Sequence, residues 1–162
     1  MPPSLGSDSS LVHARGSAPA QAHAAMPLDW LVPDLGSAVG SIMTARSVGS
    51  EWSHSPVPYD GFNLGTHVGD DALAVQANRD QLQSYLGMPA LWLNQVHGNV
   101  VVRAAPEMAR SSTLLDADGS VTTEPGVICT VMVADCLPVL LAAPEGRGVA
   151  ALHAGWRGLA GA

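Results

Sequence analysis

The segment ADCLPVLLAAPEGRGVAALHAGWRG, Ala134 to Gly158, gathers Asp135, Cys136, His153 and Arg157 into an otherwise apolar stretch. A thiol and an imidazole are groups that nucleophilic catalysis uses and that zinc and copper prefer as ligands. VLLAA (139–143) and VAALH (149–153), joined by the glycine-rich PEGRG, predict a hairpin. Cys136 then ends one strand and His153 ends another, so both emerge at one sheet edge. His97, in LNQVHG, lies at a further expected strand end and completes a His, Cys, His set. Three protein ligands leave a fourth position for water or substrate, the layout of a catalytic rather than a structural metal. No CxxC or HExxH signature accompanies these distant positions, so spacing leaves the metal reading beside plainer ones.

In those plainer readings Cys136 is a small buried hydrophobe, and His97 and His153 are hydrogen-bonded strand-end histidines. Cys129, inside VICTVMV, fits the buried-hydrophobe role. Asp135 either orients a histidine, acts as general base, or caps the bend after the strand. Arg157, flanked by glycines in GWRG, suits an anion at a helix start or a surface ion pair. Asp116 and Asp118 in LLDADGSVT read as turn residues first. His54 and His67 fall in loops, and His13 and His23 in the N-terminal tail, with no role assigned to that pair.

The elements that must position these groups follow from pattern. DDALAVQANRDQLQSYL (70–86) has acidic residues at its start, Gly87 past its end and Pro89 beyond, which predicts a helix. Val75, Leu82, Tyr85 and Leu86 form its apolar stripe, while Asn78 and Arg79 are expected at the stripe's margin, capping a neighbouring loop. LWLNQVHGNVVVRA (91–104) reads as two short strands meeting near His97 and Gly98. VICTVMV (127–133) is continuously apolar, as in a strand buried on both faces. Pro138 is expected to break regular pairing beyond it, and Gly155, Gly158 and Gly161 to open a short helix. Strands outnumber helices without clean alternation, so the expected class is α+β.

Composition bounds the rest. The 162 residues, 47% of them hydrophobic, suffice for one core. A single domain is expected over 26–162, after a disordered Ser, Ala, Pro and Gly-rich extension over 1–25, with Met26 a candidate start. Seven basic against fourteen acidic side chains give a net charge of -7, which argues against a nucleic-acid partner. The apolar runs are strand-length, too short for a membrane helix of about 20 residues, and no signal peptide is recognisable. The two cysteines then read as thiols, and the expected compartment is cytoplasmic.

FNLGTHVGDD, the Asn78-Arg79 pair, LNQVHG, DADG followed by VT, ADCLPVLL and VAALHAGWRG occur in an order that resembles the multi-copper polyphenol oxidoreductase, or laccase-domain, family. The resemblance runs from about Leu28 to Gly161. It implies a mixed α/β sandwich and one metal, usually zinc, bound at His97, Cys136 and His153. Family chains continue past HAGWRG, so the chain reads as C-terminally incomplete. The activities it implies are purine nucleoside phosphorolysis with adenosine deamination, on adenosine, inosine and methylthioadenosine, and, for some bacterial members, peptidoglycan editing.

Three mechanisms follow from these residues. A zinc-dependent nucleoside enzyme is favoured, with Arg157, Arg79 and Asn78 as substrate and phosphate contacts, although the H-x-E and P-C-x-x-C signature of zinc deaminases is absent. The runner-up is an amidohydrolase acting on peptidoglycan precursors, with Cys136 as nucleophile, His153 as base and Asp135 as orienting group. Copper oxidation of phenols is disfavoured, because none of the six histidines forms an HxH pair. In a non-catalytic alternative the hydrophobic sheet serves an oligomer.

Overall fold

The computed structural model describes residues 8–14, 27, 29–46, 49–59 and 61–161. In chain order the elements are β1 (Asp8–Ala14), β2 (Val39–Thr44), α1 (Ala72–Leu86), β3 (Ala90–Leu91), β4 (Leu93–Asn94), β5 (Val101–Arg103), β6 (Leu115–Asp116), β7 (Gly119–Thr122), β8 (Ile128–Val133), β9 (Leu137–Ala142), β10 (Val149–Ala154) and α2 (Trp156–Ala160). One sheet runs β2-β1-β8-β3, a second runs β5-β7-β10-β9, and β4 pairs with β6 in a small third. Parallel pairings (β3 with β8, β4 with β6, β5 with β7) mix with antiparallel ones, which is the expected α+β arrangement.

β8 shows why its sequence is continuously apolar. All six of its residues are buried. Cys129 and Val131 point into a core that reaches Val149 and Ala151 of the second sheet. Ile128 and Met132, on the alternate face, enter a second core with Leu82 of α1, Trp30, Trp52 and Phe62. The strand is thus covered by sheet on one side and helix on the other. Each large side chain buried this way contributes about 1.5–3 kcal/mol. Trp30, Trp52, Phe62 and Tyr85 add edge-on ring contacts, with Trp30 and Trp52 centroids 4.8 Å apart.

α1 begins and ends where its sequence signals. The Asp71 carboxylate accepts the Ala74 N–H at 2.9 Å, and Gly87 closes the helix at φ 68°. Val75 and Leu82 are buried as expected, but so are Asn78 and Arg79, which lie inside the stripe rather than at its margin. Asn78 does secure a neighbouring loop. Its amide nitrogen donates to Ser55 Oγ, Gly61 O and Asn63 O, and its oxygen accepts the His54 N–H.

Three expectations need correction. The extension over 1–25 is not disordered throughout: residues 8–14 form β1, hydrogen-bonded between β2 and β8, and residues 1–7 and 15–25 lie outside the described residues. A strand held from both sides by backbone bonds needs little apolar sequence, so the short Leu11-Val12 pair was diluted by its surroundings. The two short strands expected over 91–104 are present as β4 and β5, but they do not meet at His97: β4 ends at Asn94, β5 starts at Val101, and they pair with β6 and β7 in different sheets. His97 therefore lies in a crossing loop, not at a strand end. Pro138 does not interrupt pairing either. It lies within β9 opposite His153, and β9 is an edge strand, where a missing N–H is tolerated. The β9–β10 hairpin itself is as expected.

Candidate metal centre

His97 comes from the β4–β5 loop, Cys136 from the link between β8 and β9, and His153 from the C-terminal end of β10. Their candidate ligand atoms all lie within 4.8 Å of one another, with His97 exposed, Cys136 half-buried and His153 buried. The two imidazoles meet edge to face, centroids 4.8 Å apart. Two nitrogens and a sulfur suit zinc or copper, so the donor set fits one such ion.

One carboxylate organises two of the three. Asp118, 3% exposed, accepts the His153 Nδ1 proton at 2.9 Å through Oδ1. A carboxylate only accepts, so Nδ1 carries hydrogen and Nε2 is left with its lone pair free for a metal. The same carboxylate accepts backbone N–H groups from Val96 (3.3 Å), His97 (2.9 Å) and Gly98 (2.7 Å). These bonds hold His97 at φ 60°, a left-handed conformation that costs a non-glycine residue energy and needs such support. Burial by itself would raise the Asp118 pKa, but hydrogen bonds from His153, Gly98, His97 and Val96 outweigh it and hold the carboxyl below its ordinary value.

α2 closes the site from below. A Cβ on Gly155 would lie 3.3 Å from Cys136 Sγ, 3.4 Å from His97 Cδ2 and 3.5 Å from His153 Cε1. A Cβ on Gly158 would lie 2.2 Å from the Gly98 carbonyl oxygen, so only glycine lets α2 rest on the His97 loop. The glycines of GWRG thus serve close packing. Arg157 is exposed beside its own Trp156 ring, 5.6 Å from guanidinium carbon to ring centre.

Of the sequence-predicted residues, His97, Cys136 and His153 come together and Asp135 borders the same small cleft of about 150 Å3. Asp135 does not orient His153, since Asp118 holds that position. It is exposed, and its effect falls on Cys136: burial first, then the Asp135 charge and hydrogen bond and the Asp118 charge push the thiol pKa up. Asn78, Arg79 and Arg157 do not line this cleft. Cys129 is fully buried between the sheets, as expected. The sequence reading gave no role to His67, which lines the cleft and whose sole signal was its place in FNLGTHVGDD. Gln95 is a second addition, its amide bonding both Met132 N and Met132 O at 2.8 Å to tie the His97 loop to β8.

The family model described as multi-copper polyphenol oxidoreductase laccase matches residues 41–162. The chain belongs to this laccase family. A purine nucleoside phosphorylase of Pseudomonas aeruginosa is 48% identical over 133 residues, covering 81% of this chain and 51% of the relative. The purine nucleoside phosphorylase YfiH of Escherichia coli is 47% identical over 104 residues, 63% of this chain and 42% of its own. The crystal structure of Neisseria meningitidis protein NMB0706 superposes with a TM-score of 0.73 at 44% identity, over 82% of this chain and 53% of that one. YlmD from Geobacillus stearothermophilus gives a TM-score of 0.59 at 33% identity, over 67% of this chain and 44% of that one. The chain therefore spans about half the length of the laccase-family relatives it matches. No helix among the described residues is long and apolar enough to cross a membrane.

Proposed function

We propose that this chain carries the metal centre of a zinc-dependent purine nucleoside phosphorylase that also deaminates adenosine. The observation that carries the reading is the convergence of His97, Cys136 and His153 with a buried carboxylate on the far nitrogen of one imidazole. The names of the Pseudomonas and Escherichia relatives supply the substrate class, purine nucleosides with phosphate. A zinc ion in this set would supply Lewis-acid activation of water at neutral pH, which deamination needs. Asp118 keeps His153 in the tautomer that offers Nε2 and fixes the His97 backbone. Gly155 leaves room for the three side chains to converge. His67, on the cleft rim, is placed to exchange a proton with a substrate in the cleft. Arg157, exposed on α2 outside the cleft lining, is the proposed phosphate contact.

The test is elemental analysis of the purified chain, followed by assays of inosine with and without phosphate and of adenosine without it. The expected result is about one zinc per chain, phosphate-dependent release of hypoxanthine, and inosine from adenosine, all lost on chelation and restored by zinc. Copper loaded in its place tests the alternative ion. A second reading, a cysteine amidohydrolase, draws on the alignment of Cys136, His153 and Asp118, in which Asp118 takes the role first given to Asp135. A thiol whose ionisation is held back makes a poor unaided nucleophile, which weighs against it. That hydrolase would keep its turnover in chelator, whereas the zinc enzyme would not.

A further inference from the structure

Away from the three ligands, a polar cleft of about 610 Å3 opens between α1 and the segment leading to β6, bordered by Arg79, Asp80, Trp92, Arg110, Ser111 and Ser112. We propose that this cleft is an oxyanion site that takes inorganic phosphate or the phosphate group of a small ester, separate from the metal centre and independent of the nucleoside reading.

Arg79 carries the argument. It is 8% exposed, donates Nε–H to Leu64 O at 2.9 Å, and stacks 4.1 Å over the Trp92 ring. Its Nη2 meets only the Met132 sulfur, at 3.7 Å, a weak acceptor. Among the described residues no carboxylate forms an ion pair with it. Burial lowers its pKa to about 10, so it remains a cation at neutral pH. A buried cation without a counter-ion is costly, and the planar fork of a guanidinium matches an oxyanion two bonds at a time.

The opposite wall supplies matching groups. Arg110 ends a 3-10 turn (Met108–Arg110) and is exposed beside two serines. Ser111 Oγ accepts the Thr113 N–H, which leaves its own hydroxyl hydrogen to donate. Asp80 is the carboxylate bordering the cleft, and its Oδ1 accepts Gln76 Nε2–H at 2.8 Å. Two guanidiniums against one carboxylate make a local positive excess in a chain whose net charge is -7. No residue borders both this cleft and the one at His97, Cys136 and His153. Met132 stands between them, touching Arg79 with its sulfur while lining the metal cleft.

Calorimetric titration of the purified chain with inorganic phosphate and with glycerol phosphate, using glycerol as control, tests the proposal. Saturable binding is expected with at least one phosphate and none with glycerol; tighter binding of inorganic phosphate names the free ion as the ligand, and the reverse names esters. Ser112→Glu places a carboxylate in the cleft from an exposed position and should leave the melting curve unchanged. It and Arg110→Ala should each weaken phosphate binding about tenfold or more, the loss expected for one charge-assisted contact. Cys136→Ser should leave phosphate binding as it was, whatever becomes of nucleoside turnover. Absence of saturable binding, or binding that Cys136→Ser removes and Ser112→Glu spares, overturns the proposal.

Discussion

Asp118 Oδ1 receives both the His97 backbone N–H and the His153 ring N–H, so a single side chain sets the conformation of one ligand and the tautomer of another. Asp118→Asn replaces one acceptor oxygen with an NH2 donor that faces N–H donors, and should lower zinc affinity about 10–100-fold, read by competition with a chromogenic chelator. Asp118→Ala leaves the loop N–H groups and a buried imidazole unpaired and should cost about 3–5 kcal/mol in urea unfolding. The acid limb follows from the same bonds. Because folding lowers the Asp118 pKa from its ordinary 3.8, its stabilisation is fully present above about pH 4 and is lost as pH falls through the lower folded value. In metal-free protein the parent should therefore lose more stability than Asp118→Asn between about pH 4 and 2, measured by thermal melts. The two cysteines divide just as clearly. Cys129 is fully buried and Cys136 half-buried, so a thiol reagent should modify about one thiol in native metal-free protein, none with zinc bound and two after unfolding.

At the level of elements, α2 and α1 constrain the site by different means. α2 has room against the ligands only because Gly155 and Gly158 lack side chains. Gly155→Ala should weaken metal binding with little change in melting temperature, since its contacts fall on three ligand side chains at 3.3–3.5 Å. Gly158→Ala meets a carbonyl oxygen instead and should cost about 1–3 kcal/mol, through overpacking that backbone must relieve. α1 holds the 54–63 loop through the fully buried Asn78, whose amide meets three acceptors and one donor. Asn78→Leu should cost about 2–4 kcal/mol in unfolding while leaving metal stoichiometry unchanged, because the lost bonds belong to that loop.

Over the whole molecule, the sequence by itself determined the parts whose signals are local. Asp71 and Gly87 bound α1 because capping is satisfied within one turn. β8 was readable because a strand covered on both faces must be apolar at every position, and the β9–β10 hairpin because its turn is short and glycine-rich. The ligand types His97, Cys136 and His153 stood out as chemistry in an apolar context, and the family resemblance joined them. Only the tertiary structure decided the rest. Asp118 reads as a turn residue in isolation, and its importance arises because donors from the His97 loop and from β10 converge on it across the second sheet. The strands flanking His97 were expected to meet there, but strand propensity does not record which partner a strand takes, and the two pair into different sheets with His97 in the loop between them. β1 went unread because hydrogen bonds to two neighbouring strands, which composition does not reveal, hold it in place.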